Sequence, residues 1–184
     1  MSKKPVIRSR RSIKDTGIFR IEEMDLEFSN GETRLYQRLV GSSRGAVMVV
    51  PLLDEKTVLL IREYSAGMDR YELGFTKGRV EAGEDLLEAA NRELREEVGY
   101  AARQLDLIKS VSVAPGYLFH STHIVLARNL YPARLPGDEP EPIEVVPWRL
   151  DDLESLKLRE DFTESRSITA LYLTMDLLAR ENHS

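Results

Sequence analysis

A chain of 184 residues, 42% of them hydrophobic, is long enough for one well-cored domain or for one domain with a small dimerisation arm. Its formal net charge of −5 argues against a general nucleic-acid binder, which needs a positive field to gather phosphates, and the lack of cysteine excludes a disulfide scaffold and thiol catalysis. No stretch is apolar for long enough to cross a membrane, so the expectation is a cytoplasmic protein that draws any anionic substrate in through metal ions and local Arg or Lys.

The first fourteen residues, MSKKPVIRSRRSIK, carry six cationic side chains and no acid, so residues 1–16 read as a basic arm, flexible or packed on a partner. IFRIEEMDLEFSNG and ETRLYQRLV then form a hairpin turning at Asn30 and Gly31, which makes residues 17–45 a candidate dimerisation element. AVMVVPLL and TVLLIREY are β-branched apolar runs separated by Asp54, Glu55 and Lys56, and they read as a second, core hairpin. LDLIKSVSVAP and THIVLARNLYP continue the strand pattern. Pro136 to Pro142 is a proline-rich acidic loop, followed by a short helix near Asp151 to Leu158 and a final helix over Ser165 to Glu181. Strands first, one helix in the middle and helices last predict an α+β fold, a mixed sheet with helices on its faces, over residues 46–184.

The segment Gly78 to Tyr100, GRVEAGEDLLEAANRELREEVGY, is the most informative. Leu86, Leu87, Ala90, Leu94 and Val98 fall three or four apart, as an amphipathic helix requires. Asp85 with Glu88 has the spacing of a capping box, and Gly99 suits a left-handed helix end. Glu93 and Glu97 share a face and Glu96 flanks them, so three carboxylates gather on one patch. Like charges at this spacing repel unless cations neutralise them, and Mg2+ is the natural candidate because it prefers oxygen ligands and bridges carboxylates to phosphates.

With Gly78, Glu84, Arg92, Glu93, Glu96, Glu97 and Gly99 at their spacing, the segment fills every fixed position of the Nudix box, and the chain resembles the Nudix hydrolases. That resemblance implies an α/β/α sandwich and Mg2+-dependent cleavage of a nucleoside diphosphate linked to another group, with Mn2+ as a possible substitute. It implies metal ligands at Glu93, Glu96, Glu97 and the Lys77 carbonyl, with Glu84 and Arg92 holding the loop against the helix. DLEFSNG, IREYSAGMDRYELGFTKG and LYPARLPGDEPEP extend the likeness to the bacterial hydrolases of ADP compounds. The substrates so implied are ADP-ribose, NADH and diadenosine polyphosphates, cut to AMP and a second phosphorylated product by a homodimer that uses neither nucleic acid nor membrane.

The general base in this reading is a box glutamate, Glu97 or Glu96, or one of the loop residues Glu139 and Glu141. Arg62, Arg79 and Lys77 are candidate phosphate contacts, and Tyr36, Tyr64 or Phe75 candidate platforms for adenine, although aromatics at strand positions are more often core. Pro115 stands sixteen positions after Gly99, where many ADP-ribose pyrophosphatases carry proline. Ser65 and Gly74 depart from the arginine and glutamate of many ADP-ribose members and point to broader specificity. His120 and His123, three apart in a strand, point to opposite faces and do not share a metal. The competing reading is a nucleotide sensor that has stopped hydrolysing, against which stands the complete carboxylate set.

Overall fold

The computed structural model describes residues 3–17, 19–42 and 44–181; Met1 and Ser2 of the basic arm, and Asn182 to Ser184 beyond the last helix, lie outside the described residues. Eleven strands and three α-helices are formed among the described residues: β1 (Val6–Asp15), β2 (Arg20–Glu27), β3 (Thr33–Val40), β4 (Ala46–Asp54), β5 (Thr57–Ser65), β6 (Arg70–Gly74), β7 (Lys77–Arg79), α1 (Leu86–Glu93), β8 (Tyr100–Val111), β9 (Leu118–Phe119), β10 (Thr122–Pro132), β11 (Glu144–Arg149), α2 (Leu153–Lys157) and α3 (Ser165–Glu181).

The central sheet is mixed, in the order β11-β5-β4-β10-β8, with β6 on β5 and β7 on β4; β4 and β10 run parallel and the other pairs antiparallel. The apolar runs in β4, β5 and β10 are buried on both faces, which is why they read as continuous rather than alternating. Met48, Val50, Val58, Leu60, Ile124 and Leu126 face one layer with Leu156, Phe162, Ala170 and Leu171. Val47, Val49, Leu59, Ile61 and Val125 face the other with Ala89, Ala90, Leu94 and Val98 of the α1 segment. The result is an α+β sandwich with a helix layer on each face of the sheet.

A second sheet, β1-β2-β3-β9, holds the N-terminal part. Gly31, at φ +85°, turns β2 into β3. The basic arm is not loose: Val6–Asp15 is a strand along β2. The reason is electrostatic and local, because β2 presents Glu22, Glu23 and Glu27 to the cations of β1; the Arg11 Nε donates to Glu23 at 2.6 Å, Arg10 stands 3.9 Å from Glu22, and Arg8 pairs with Glu27. Composition alone reads such a run as a tail; its complement lies beyond a turn.

Candidate active site

The site grows from the register of one short strand. β7 pairs with β4, Lys77 opposite Met48 and Arg79 opposite Ala46, and this pins the start of the loop that leads into α1. Gly83 turns that loop at φ +88°. Asp85 caps α1, its carboxylate accepting from the Leu87 N–H at 2.8 Å while Glu88 accepts from the Asp85 N–H at 3.3 Å. The helix does not end at Glu93; it widens into a π-type turn over Leu94–Val98, closed by the Gly99 N–H donating to the Leu94 carbonyl at 3.1 Å, with Gly99 left-handed at φ +84°. Such wide turns re-aim side chains, and this one carries Glu96 and Glu97.

Arg92 ties loop to helix. Its guanidinium donates to Glu84 at 2.8 and 3.2 Å, to Glu93 at 2.8 Å, to Glu96 at 3.0 Å and to the Arg79 carbonyl at 3.0 Å. Glu84 also accepts from the Glu81 N–H at 3.1 Å, and the Arg92 guanidinium holds its carboxyl below the usual range. Gly78 is glycine for want of room: a Cβ there would stand 1.9 Å from the Glu93 carboxyl carbon.

Glu93 and Glu97 are 8% and 7% exposed, unusual burial for glutamates. Glu97 accepts from the Thr76 hydroxyl and, at 3.4 Å, from the Lys77 N–H. Burial outweighs these donors and pushes the Glu97 carboxyl up to about 8; burial raises Glu93 too, against the pull of Arg92. One cleft is lined by Lys77, Gly78, Arg79, Glu93, Glu96 and Glu97 from this side and by Asp138 and Glu139 of the acidic loop from the other.

Among the described residues no three Asp, Glu or His side chains stand close enough together to form a metal cage as they are, since Arg92 stands between Glu93 and Glu96. The donor chemistry nonetheless suits a hard divalent cation: three carboxylates share one cleft, and burial keeps the two inner ones from ionising as freely as they would in water.

Other expected residues are placed differently. Arg62 directs its guanidinium to Asp161 at 2.5 Å and Glu144 at 3.0 Å, which commits it to bracing β5 rather than leaving it free for phosphate. Arg79 lines the carboxylate cleft. Pro115 sits in an exposed turn after β8 that does not line this cleft. Phe75 is fully buried in the core and is no platform for a base. Tyr36 is exposed on the N-terminal sheet, while Tyr64 lies edge-on to Tyr71 at 5.6 Å beside the acidic loop. Glu141 accepts from the Tyr71 hydroxyl at 2.5 Å. His123 is paired with Ser110 at 2.7 Å. Gly74 lies against Ser167, whose hydroxyl accepts from the Phe75 N–H at 3.1 Å.

Thr76, Glu63 and Tyr71 were not singled out in the sequence. Glu63 pairs with the Lys77 ammonium at 2.8 Å, so the lysine next to the cleft is itself anchored. The only local signal for Thr76 is a hydroxyl residue two positions before the box glycine; its burial shows only in the fold.

The NUDIX domain family matches residues 42–172, and the NudE-type Nudix hydrolase N-terminal domain matches residues 5–38. The chain is 46% identical over 175 residues to the ADP compounds hydrolase NudE of Escherichia coli (strain K12), covering 95% of this chain and 94% of that one. It is 29% identical over 154 residues to the ADP-ribose pyrophosphatase of Bacillus subtilis (strain 168), covering 82% of each. A crystal structure of an ADP compounds hydrolase superposes with a TM-score of 0.91 at 43% identity, covering 100% of this chain and 99% of that one.

Proposed function

The chain belongs to the Nudix hydrolase family, and on that premise we propose that it is a Mg2+-dependent pyrophosphohydrolase cleaving ADP-linked metabolites to AMP and a second phosphorylated product. ADP-ribose, NADH and diadenosine polyphosphates are the substrate class, and their shared element is an adenosine 5′-diphosphate. The observation that carries this reading is the burial of Glu93 and Glu97 in one cleft with Glu96, where burial holds the Glu93 and Glu97 carboxyls above the usual range. Buried charge of this kind destabilises a fold, and a binding protein with no use for a divalent cation gains nothing from it.

When bound, Mg2+ supplies charge neutralisation of the pyrophosphate and lowers the pKa of a bound water. Glu93, Glu96, Glu97 and the Lys77 carbonyl would hold it. Glu84 and Arg92 keep the loop and helix in register, Arg79 meets the phosphate oxygens, and the acidic loop supplies a carboxylate that takes the water's proton. Mn2+ is the natural substitute, since it accepts the same oxygen donors.

We further place the enzyme in the cytoplasm as a homodimer, working on small molecules rather than nucleic acid or membranes. Support for the dimer is the apolar exposure of the N-terminal sheet at Val6, Ile7, Ile13, Leu35 and Tyr36. Among the described residues no helix is long and apolar enough to cross a membrane.

The test is to incubate the purified chain with Mg2+ and, separately, ADP-ribose, NADH, diadenosine triphosphate and the common nucleoside triphosphates, following AMP. AMP from the ADP-linked compounds supports the assignment and ranks the substrates. Silence across the panel with tight nucleotide binding would establish the sensor reading instead.

A further inference from the structure

The acids around the cleft are shared between two cations. Arg92 donates to Glu84, Glu93 and Glu96. Among the described residues neither Glu97 nor Glu139 takes a hydrogen bond from a cationic side chain; Glu97 accepts from the Thr76 hydroxyl and the Lys77 N–H. The second cation is the Lys77 ammonium. The register of β7 on β4 fixes its backbone opposite Met48, and its side chain pairs with Glu63 of β5 at 2.8 Å. Both side chains of that pair are largely covered, 31% and 32% exposed, so the charge is held in place rather than swinging in solvent. Lys77 lines the carboxylate cleft with Glu97 and Glu139, and its charge favours the ionised form of each, where burial and Glu63 oppose it. Three carboxylates, Glu63, Glu97 and Glu139, therefore share one ammonium.

We propose that the Lys77 ammonium is a resident cation of this site: it takes up negative charge of Glu63, Glu97 and Glu139 that a further divalent ion would otherwise neutralise, so the protein holds fewer metal ions than its carboxylates could bind. This rests on the hydrolase reading above and adds to Lys77 a duty separate from that of its carbonyl. Carboxylates gathered in a half-buried cleft repel one another, and a fixed cation among them lowers that cost whatever the metal concentration. An ammonium cannot polarise a bound water as a divalent ion does, so its contribution is charge cancellation alone. Glu63 is the positioning residue, since its ion pair keeps the long lysine side chain beside the cleft.

The experiment counts bound Mn2+ by electron paramagnetic resonance titration of the parent, K77M, K77M/E63Q and K56M, and follows the rate on ADP-ribose against Mg2+ concentration. Methionine keeps the length of the lysine stem and the Lys77 carbonyl while removing the charge. K77M is expected to bind one more Mn2+ per chain than the parent, and its rate to rise more steeply with Mg2+. K77M/E63Q loses one charge of each sign, which restores the balance of the cluster, and is expected to return to the parental count. Lys56 lies in the exposed turn between β4 and β5, so K56M makes the same change in net charge away from the cleft and is expected to keep the parental count. An unchanged count in K77M would overturn the proposal, and so would a lower one, which would make the ammonium an organiser of the metal site. An extra Mn2+ in K56M would overturn it too, by showing that net charge alone sets the count. Inactivity of the parent would overturn the hydrolase reading, while the Mn2+ count, which needs no turnover, would still decide the role of Lys77.

Discussion

Replacing Glu97 by glutamine should make the metal-free protein more stable while abolishing its activity. Glu97 is 7% exposed, and burial raises its carboxyl from 4.5 to about 8. In the unfolded chain the carboxyl ionises around its ordinary value, whereas the folded protein must keep the proton or bury the charge. Stability is therefore unaffected by this group at low pH, declines as pH rises above 4.5, and levels off once pH passes about 8. At neutral pH the interval above the ordinary value corresponds to a penalty of about 2 to 4 kcal/mol. Glutamine has the same shape and no charge, and its carbonyl can still accept from the Thr76 hydroxyl and the Lys77 N–H. Urea unfolding of the parent and E97Q in chelator, run across this pH range, should show the two equally stable at the acid end and the variant ahead by that margin at neutrality. Added Mg2+ should stabilise the parent and leave E97Q behind. Equal stability at neutral pH, or a less stable variant, would refute the claim that this carboxylate is buried against its own solvation.

Three further predictions follow from the same geometry. Gly78→Ala places a methyl where the Glu93 carboxyl now stands, so kcat should fall at least tenfold while circular dichroism shows the fold retained. Arg92→Ala removes the donor to Glu84, Glu93, Glu96 and the Arg79 carbonyl and should destabilise by about 2 to 4 kcal/mol, measured by chemical unfolding. Asp161, held at about 2 by Arg159 and Arg62, contributes stability above its ordinary value of 3.8 that disappears as pH drops towards 2; the gap between parent and D161N in thermal scans should close over that window.

Much of the fold was legible because its signals are local. The helix start at Asp85 and Glu88, the glycine at its end, the turn at Gly31 and the long apolar runs all act within a few residues of themselves. What was not legible depends on pairing across the chain. Arg62 read as a free phosphate contact because its partner Asp161 lies 99 residues away, and Thr76 meets Glu97 only once β7 has taken its register on β4. Phe75 could be named as an adenine platform only because alternation in so short a segment does not say which face is core; the other reading, a core aromatic, is the one the fold shows. The π-type turn at Leu94–Val98 left no mark on the helical spacing, since one widened turn keeps Leu94 and Val98 on the buried face.

The most direct test of the central claim is hydrolysis of ADP-ribose with Mg2+ in water enriched in heavy oxygen, with products weighed by mass spectrometry for the parent and E97Q. The account predicts AMP and ribose 5-phosphate with one heavy oxygen incorporated per cleavage, in a phosphate group, and no product from E97Q. Absence of AMP from the parent, or full turnover by E97Q, would contradict it.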